Sequence, residues 1–140
     1  MTDQRVCVDT SVAVPLLVAS HEHHRAVARW AHGRDLQLSG HALVDTYAVL
    51  TRLPGDSRVT PMDVVRLIEE NFGEALASSP ETAQEVHREL ARSGIAGGAT
   101  YDALVALAAR EHGATLATRD ARARPTYEAL GVVVDVVPSE

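Results

Sequence analysis

The sequence predicts an α/β fold, with helices on both faces of a mostly parallel central sheet. Two observations predict it. Short apolar segments typical of buried strands alternate along the chain with longer segments whose apolar residues recur at helical spacing. No repeat, linker or low-complexity segment interrupts this alternation. The 140 residues, with 46% hydrophobic and 23% charged side chains, suit a single globular domain over residues 1–140.

The first part of the chain predicts two strands and three helical segments. Gly33 is a plausible end for the second helical segment, and Pro54 with Gly55 ends the third. Apolar residues at helical spacing, Tyr47 among them, place one face of the third segment in the core. In chain order these segments are the strand RVCVD, the helical pieces SVAVPLLVAS and HEHHRAVARWAHG, the short strand DLQLSG, and the helix HALVDTYAVLTRL.

The second part of the chain predicts four more helices and two more strands. Thr60 and Ser79 are each followed by proline and have the residue type of a helix N-cap. Gly94 and Gly113 end helices, and the Gly-rich segment IAGGAT forms a loop. In order, the segments are the helices TPMDVVRLIEENFG, SPETAQEVHRELARSG and YDALVALAAREHG, the strand ATLAT, the helix ARARPTYEALG and the strand VVVDVV.

The composition excludes several classes of function. The formal net charge is −6, whereas strong non-specific nucleic-acid binders usually carry a basic excess. All 13 basic residues are arginine, so chemistry that needs a lysine is excluded. The single cysteine, Cys7, lies in the first strand and cannot form an internal disulfide. Because neither a signal peptide nor a membrane span is recognisable, we expect a cytoplasmic protein.

Four aspartates fall where the predicted topology brings strand ends and helix starts together. Asp9 ends the first strand, Asp120 follows ATLAT, and Asp45 and Asp102 lie early in helices. Each alone has a structural explanation, such as capping a helix, favouring its dipole or facing solvent. Together at one edge of a parallel sheet they would repel one another unless a cation compensated them. An all-oxygen set favours Mg²⁺ or Mn²⁺.

Other candidate residues are less specific. His21, His23 and His24 with Glu22 resemble a metal tract, but we interpret them as an exposed helix start. The three tyrosines, Tyr47, Tyr101 and Tyr127, could stack on a nucleobase, although core packing better explains Tyr47. The arginines around Asp120 either face solvent or contact phosphate beside the metal; they are Arg119, Arg122 and Arg124.

Several motifs together resemble a known family. The segments VDTSV, an acid before YAVLTRLPG, YDALVALAAREHGATLATRD and ARPTYEALGV occur in the order found in PIN-domain ribonucleases. They are most similar to the toxins of bacterial VapBC toxin–antitoxin pairs, over about residues 5 to 135. The resemblance implies a PIN-like three-layer fold, and it implies that the four aspartates are the catalytic and metal-binding acids. Thr10, Ser11 and Thr118 match the polar positions that support this site.

The resemblance also implies a function. It implies Mg²⁺- or Mn²⁺-dependent cleavage of single-stranded or loop RNA, with the metal on Asp9 and Asp102 and the other two acids in or near its shell. A cognate VapB-type antitoxin and a homodimer are the implied partners. The family usually has glutamate where this chain has Asp45. The shorter side chain favours contact with the metal through water, and it leaves open a catalytically weak or inactive PIN-like module that binds RNA or a protein.

Phosphoryl-transfer domains are a further alternative. Receiver domains and haloacid-dehalogenase phosphatases also place acids at strand ends. Both normally need a lysine, which this chain lacks, and the phosphatases need a second aspartate where Ser11 stands.

Overall fold

A computed structural model describes residues 5–139 of the chain. Its centre is a four-stranded sheet in the order β2-β1-β3-β4, in which every pair is parallel. The α/β prediction with a parallel central sheet is therefore confirmed. The strands are β1 (Val6–Val8), β2 (Leu36–Leu38), β3 (Thr115–Thr118) and β4 (Val134–Val136).

The two central strands are the most buried part of the sheet. Cys7 and Val8 of β1 are inaccessible to solvent, and all four residues of β3 are buried. Strand β1 pairs with both β2 and β3, so that Val8 lies opposite Leu38 and Ala117. Because all strands run in the same direction, the residues that follow them lie along one edge of the sheet.

Within residues 5–139, seven helices connect the strands. The predicted N-caps are confirmed, because Thr60 accepts a hydrogen bond from the Asp63 amide and Ser79 accepts one from the Thr82 amide. A short 3-10 turn, Gly55–Ser57, follows the third helix. The helices are α1 (Thr10–Leu17), α2 (His24–Ala31), α3 (Ala42–Thr51), α4 (Pro61–Asn71), α5 (Pro80–Arg92), α6 (Ala99–Glu111) and α7 (Arg124–Ala129).

The helices pack in two groups. Helix α1 contacts α2, α3 and α4, whereas α6 contacts α7 and β3. The β1–β2 and β3–β4 connections run towards opposite edges of the sheet, so right-handed crossovers place α1 and α2 on one face and α7 on the other. Six of the 13 residues of helix α6 are buried, and its alanines allow close backbone packing in a chain with only 4% aromatic residues.

Two details differ from the sequence-based expectation. Helix α2 begins at His24, so His21–His23 form the turn before it rather than its first residues. Tyr47 is 38% exposed, and the prediction that it packs in the core is wrong. The buried stripe of α3 is instead Ala42, Thr46 and Leu50, which turns the Tyr47 ring towards the surface.

Two further findings concern helix length and the extent of the described residues. The longest helices in residues 5–139, α5 and α6, have 13 residues each, and none of the described helices is long and apolar enough to cross a membrane. The predicted domain over residues 1–140 includes residues 1–4 and 140, which lie outside the described part.

A close backbone contact joins the end of β2 to α6. Gly40 has a φ of +54°, and a Cβ atom there would lie 2.7 Å from the Leu104 carbonyl oxygen. Beside it, the Ser39 hydroxyl donates to the Val105 carbonyl oxygen at 3.2 Å. Only glycine combines this φ with this distance. The contact fixes the start of α3 against α6.

We expect Gly40→Ala to lower the free energy of unfolding by roughly 2–4 kcal/mol, because strain at positive φ adds to overpacking. Urea denaturation measures this change. Gly33→Ala is the matched control, since Gly33 has a φ of +77° and a Cβ atom there would meet nothing within 4 Å. It should lose only about 1–2 kcal/mol. Equal losses in the two variants would contradict the close-contact interpretation.

Candidate active site

Asp9 is the most deeply buried acid at the carboxyl edge of the sheet. It directly follows β1, is 5% exposed and occupies the N-cap position of α1. Three hydroxyl groups donate to its carboxylate. Ser11 donates to Oδ1 at 2.5 Å, while Thr118 and Tyr127 donate to Oδ2 at 2.5 and 2.8 Å. These donors come from α1, β3 and α7, so the side chain of Asp9 is held by three elements.

Burial and hydrogen bonding have opposite effects on Asp9. Burial raises the pKa of this carboxyl group, and the bonds from Ser11, Thr118 and Tyr127 lower it, with burial the larger effect. The same charge acts on Tyr127: burial first, and then the nearby Asp9 carboxylate, raise the pKa of the Tyr127 phenol. The phenol therefore stays protonated and remains a hydrogen-bond donor.

Thr118 connects Asp9 with Asp120. Its hydroxyl donates to Asp9 and accepts a hydrogen bond from the Asp120 amide at 3.0 Å. The Asp120 carboxylate in turn accepts from the Arg122 amide at 2.9 Å, which closes a turn after β3. The half-buried side chain of Asp120 is thus oriented by its own loop.

Asp45 is joined to the start of α1 by Thr10. The Thr10 hydroxyl donates to Asp45 Oδ2 at 2.9 Å. Asp45 lies in the first turn of α3, where its amide bonds to the His41 carbonyl oxygen at 3.0 Å. Because Thr10 directly follows Asp9, this contact orients the Asp45 side chain towards the sheet edge and Asp9.

Asp102 lies in the first turn of α6 and is half-buried. Burial raises the pKa of its carboxyl group most, and the charges of Asp120, Asp9 and Asp45 raise it further. The four acids are therefore close enough to interact electrostatically.

The fit to a divalent cation follows from the donor set. All four acids offer carboxylate oxygens, the ligands that Mg²⁺ and Mn²⁺ prefer, and their mutual repulsion would be relieved by positive charge. As the side chains stand, no group of three or more His, Cys, Asp or Glu residues between positions 5 and 139 is positioned to hold a metal ion. The chemistry of the site suits a hard cation, and its side chains would have to draw closer to coordinate one.

The three arginines near Asp120 differ in their contacts. Arg119 bonds through its amide to the Ser11 hydroxyl at 2.8 Å and through its guanidinium to the Ser11 carbonyl oxygen at 3.2 Å. Arg124 pairs with Glu128 at 3.7 Å, one turn along α7. The side chain of Arg122 is 97% exposed, 3.9 Å from Asp120. Of these three, Arg122 has the guanidinium most accessible to a phosphate.

The histidines at the start of α2 and in the turn before it make contacts with nearby parts of the chain. His21 Nδ1 accepts from the His23 amide at 3.0 Å, and His24 Nδ1 lies 2.8 Å from the Pro15 carbonyl oxygen. These contacts organise the turn and the start of α2. The prediction of an exposed helix start holds only in part, because Glu22 is exposed whereas the three histidines are partly buried and α2 begins at His24.

The contact of Tyr127 with Asp9 was not predicted from the sequence, which suggested only that Tyr127 could stack on a nucleobase. Tyr127 is fully buried and donates to Asp9 across 118 positions of sequence. Its place in the short helix PTYEALG gave a signal for a buried apolar face. Nothing in the spacing indicated which polar group the hydroxyl would meet.

We expect Asp102→Asn to raise the melting temperature at pH 7 in EDTA. The folded-state pKa of Asp102 is raised above its ordinary value of 3.8, so ionisation of Asp102 destabilises the fold as the pH rises above that value. The stabilisation should therefore disappear when the pH falls below about 3.8. Thermal denaturation from pH 3 to pH 8 tests this, with the exposed Asp56→Asn as control. An increase independent of pH would contradict the electrostatic explanation.

We expect Tyr127→Phe to lower the free energy of unfolding at pH 7 by about 1–3 kcal/mol, because it removes a hydrogen bond to a charged group. The loss should be smaller at acid pH, where Asp9 is protonated. Urea denaturation at both pH values provides the measurement. Tyr47→Phe serves as control, since the Tyr47 hydroxyl has no hydrogen bond within the described structure. Similar losses in both variants would refute the importance of the Asp9 contact.

Comparison with known proteins identifies the family. The sequence model of the PIN domain family matches residues 6–128 of this chain. Ribonuclease VapC27 of Mycobacterium tuberculosis is 57% identical over 131 residues, which cover 94% of this chain and 96% of that protein.

Solved structures show the same fold at lower identity. The crystal structure of Mycobacterium tuberculosis VapC20, described as a sarcin-ricin loop cleaving toxin, has a TM-score of 0.65 at 20% identity and covers 91% of this chain and 96% of that one. VapBC2 from Rickettsia felis, bound to a DNA fragment from its promoter, has a TM-score of 0.65 at 14% identity, covering 96% and 100%. With a family model over most of its length and a relative identical at more than half of the aligned positions, the chain belongs to the PIN domain family and groups there with the VapC proteins.

Proposed function

We propose that this protein is a metal-dependent endoribonuclease toxin that hydrolyses RNA phosphodiester bonds and is neutralised by a cognate VapB-type antitoxin. The observation that supports it best is the electrostatic coupling of four carboxylates at one sheet edge, in a chain closely similar to a protein named as a ribonuclease. We include in the proposal that residues 1–140 form one PIN domain.

In this proposal Asp9, Asp45, Asp102 and Asp120 hold Mg²⁺ or Mn²⁺. Asp9 Oδ2 already accepts two hydrogen bonds, whereas Oδ1 accepts one and keeps a second lone pair for a cation. The bound metal would lower the pKa of a water molecule and offset negative charge on the phosphate.

The protein's own groups supply orientation. Ser11, Thr118 and Tyr127 fix the rotamer of Asp9, and Thr10 fixes that of Asp45. Because these contacts exist before substrate binds, the orientations of Asp9 and Asp45 are set in advance. The exposed guanidinium of Arg122 is placed to contact a phosphate beside Asp120, with Arg119 and Arg124 as weaker candidates because their side chains are engaged elsewhere.

The partners follow from the same reasoning. The Rickettsia felis structure contains a VapBC pair, which supports an antitoxin for this chain. We further propose that a homodimer forms and that the protein acts in the cytoplasm, where it meets RNA.

A second candidate function is a catalytically weak or inactive PIN-like module that binds RNA or a protein. Two observations favour it. Position 45 has the shorter aspartate, and no three acids in the described part of the chain are arranged to coordinate a metal ion. This candidate predicts that Mn²⁺ does not bind at the acids.

We expect Asp9→Asn to reduce cleavage of a labelled RNA pool by at least about a hundred-fold, because it removes a ligand and its charge. The wild type should cleave with Mg²⁺ or Mn²⁺ and not with EDTA. Asp56→Asn is the control for general effects of losing one carboxylate. Calorimetric titration with Mn²⁺ on the same samples should show binding that Asp9→Asn loses. Cleavage by Asp9→Asn at the wild-type rate would refute the proposal, and absent Mn²⁺ binding would favour the second candidate.

A further inference from the structure

Two aromatic rings lie side by side between the helices that present Asp45 and Asp102. The ring centroids of His41 and Tyr101 are 5.3 Å apart, and their planes differ by 32°. Tyr101 immediately precedes Asp102 in α6 and is 59% exposed. His41 immediately precedes α3, and its carbonyl oxygen accepts the Asp45 amide. We call His41 and Tyr101 the aromatic pair.

The position of the aromatic pair is fixed by backbone packing. His41 follows Gly40, whose lack of a side chain allows contact with the Leu104 carbonyl oxygen. Ser39 adds a hydrogen bond to α6 at Val105. The segment that leads into α3 therefore contacts α6 at Leu104 and Val105. These contacts anchor the backbone just before His41 to α6, the helix that carries Tyr101.

The exposure of Tyr101 is not explained by packing or hydrogen bonding. Within residues 5–139 its hydroxyl makes no hydrogen bond, and its ring contact is with His41. The other two tyrosines differ. Tyr127 is buried and bonded to Asp9, and Tyr47 borders an apolar surface pocket with Leu43 and Val65. Of the three tyrosines, Tyr101 is the one with an accessible ring that directly precedes one of the four acids in sequence.

We propose that the aromatic pair is a stacking platform for an unpaired nucleobase next to the RNA phosphate that is cleaved. This inference rests on the proposed ribonuclease function and narrows its substrate to RNA with a base free to leave its own stack. Base–aromatic stacking is a main source of affinity for single strands and tolerates any base. Bases in a continuous helix already stack on their neighbours and are not accessible to the pair.

Electrostatics favours a base over a phosphate at this position. The chain has a net charge of −6, and Asp45 and Asp102 flank the pair, so a phosphate there would be repelled. The face of a base is uncharged and avoids this repulsion. Stacking would thus add to the affinity for RNA, which an acidic protein cannot obtain from contacts with the RNA phosphates alone.

The test is binding of a fluorescent single-stranded oligoribonucleotide to the full chain in Mg²⁺, with Asp9→Asn present in every variant to prevent cleavage. We expect Tyr101→Ala to weaken binding by about 5- to 100-fold, because one stacked base is lost. Tyr101→Phe keeps the aromatic face and should retain binding, whereas Tyr101→Leu should not. Tyr47→Ala is the matched control at another exposed tyrosine and should bind normally.

A second arm identifies the base as the partner of the ring. A series of oligoribonucleotides carries one abasic site at successive positions along the strand. The protein that keeps Tyr101 should bind one member of this series more weakly than the others. The same change should have no further effect in Tyr101→Ala. Circular dichroism checks that each variant is folded. Duplex RNA of the same sequence should bind independently of Tyr101.

The outcomes separate the inference from the proposed function. Suppose that the wild type cleaves RNA, and that adding Tyr101→Ala to the Asp9→Asn protein leaves its affinity for single-stranded RNA unchanged. The platform is then refuted and the ribonuclease proposal stands. If Tyr101→Ala changes only self-association measured by sedimentation, the pair is a protein interface and the inference is also refuted. Tyr101-dependent binding without cleavage would support the platform in the second candidate, an RNA-binding module.

Discussion

The buried carboxylate of Asp9 is the constraint on which the other features of the site depend. A charged group at 5% exposure is costly, and three hydroxyl donors from α1, β3 and α7 compensate it only in part, since burial still raises its pKa. The three donors also connect elements that are distant in sequence. The same contacts that make the charge tolerable therefore fix the carboxyl edge of the sheet.

A second constraint is the close packing of α6. Its alanine-rich face and the missing side chain of Gly40 allow the helix to approach the end of β2. This approach sets the spacing between the starts of α3 and α6, where Asp45 and Asp102 lie. Asp102 is thereby held within electrostatic range of three like charges, a position that the protein tolerates at the expense of a raised pKa.

The parallel topology was predictable because it follows from the order of strands and helices. Asp9 and Asp120 follow strands, so connectivity alone places them at one edge, and the caps at Thr60 and Ser79 depend only on neighbouring residues. The face of α3 was not predictable. Its buried stripe includes Thr46, a polar residue, so counting apolar side chains placed Tyr47 inward. The Tyr127–Asp9 bond could also not be predicted from the sequence, because it depends on how α7 packs against α6 and β4.

The repulsion among the four acids, which the fold offsets only in part, links activity to neutralisation in the proposed function. Any cation that binds only the folded state at this edge stabilises it by an amount that grows with the logarithm of the cation concentration divided by its dissociation constant. A divalent ion and a basic side chain of a partner protein would both relieve the pKa shift of Asp102. They would compete for the same carboxylates, because binding of either one neutralises the negative charge that attracts the other. An acidic site that its own fold compensates only in part is therefore suited both to acquire a catalytic ion and to be blocked by a basic residue.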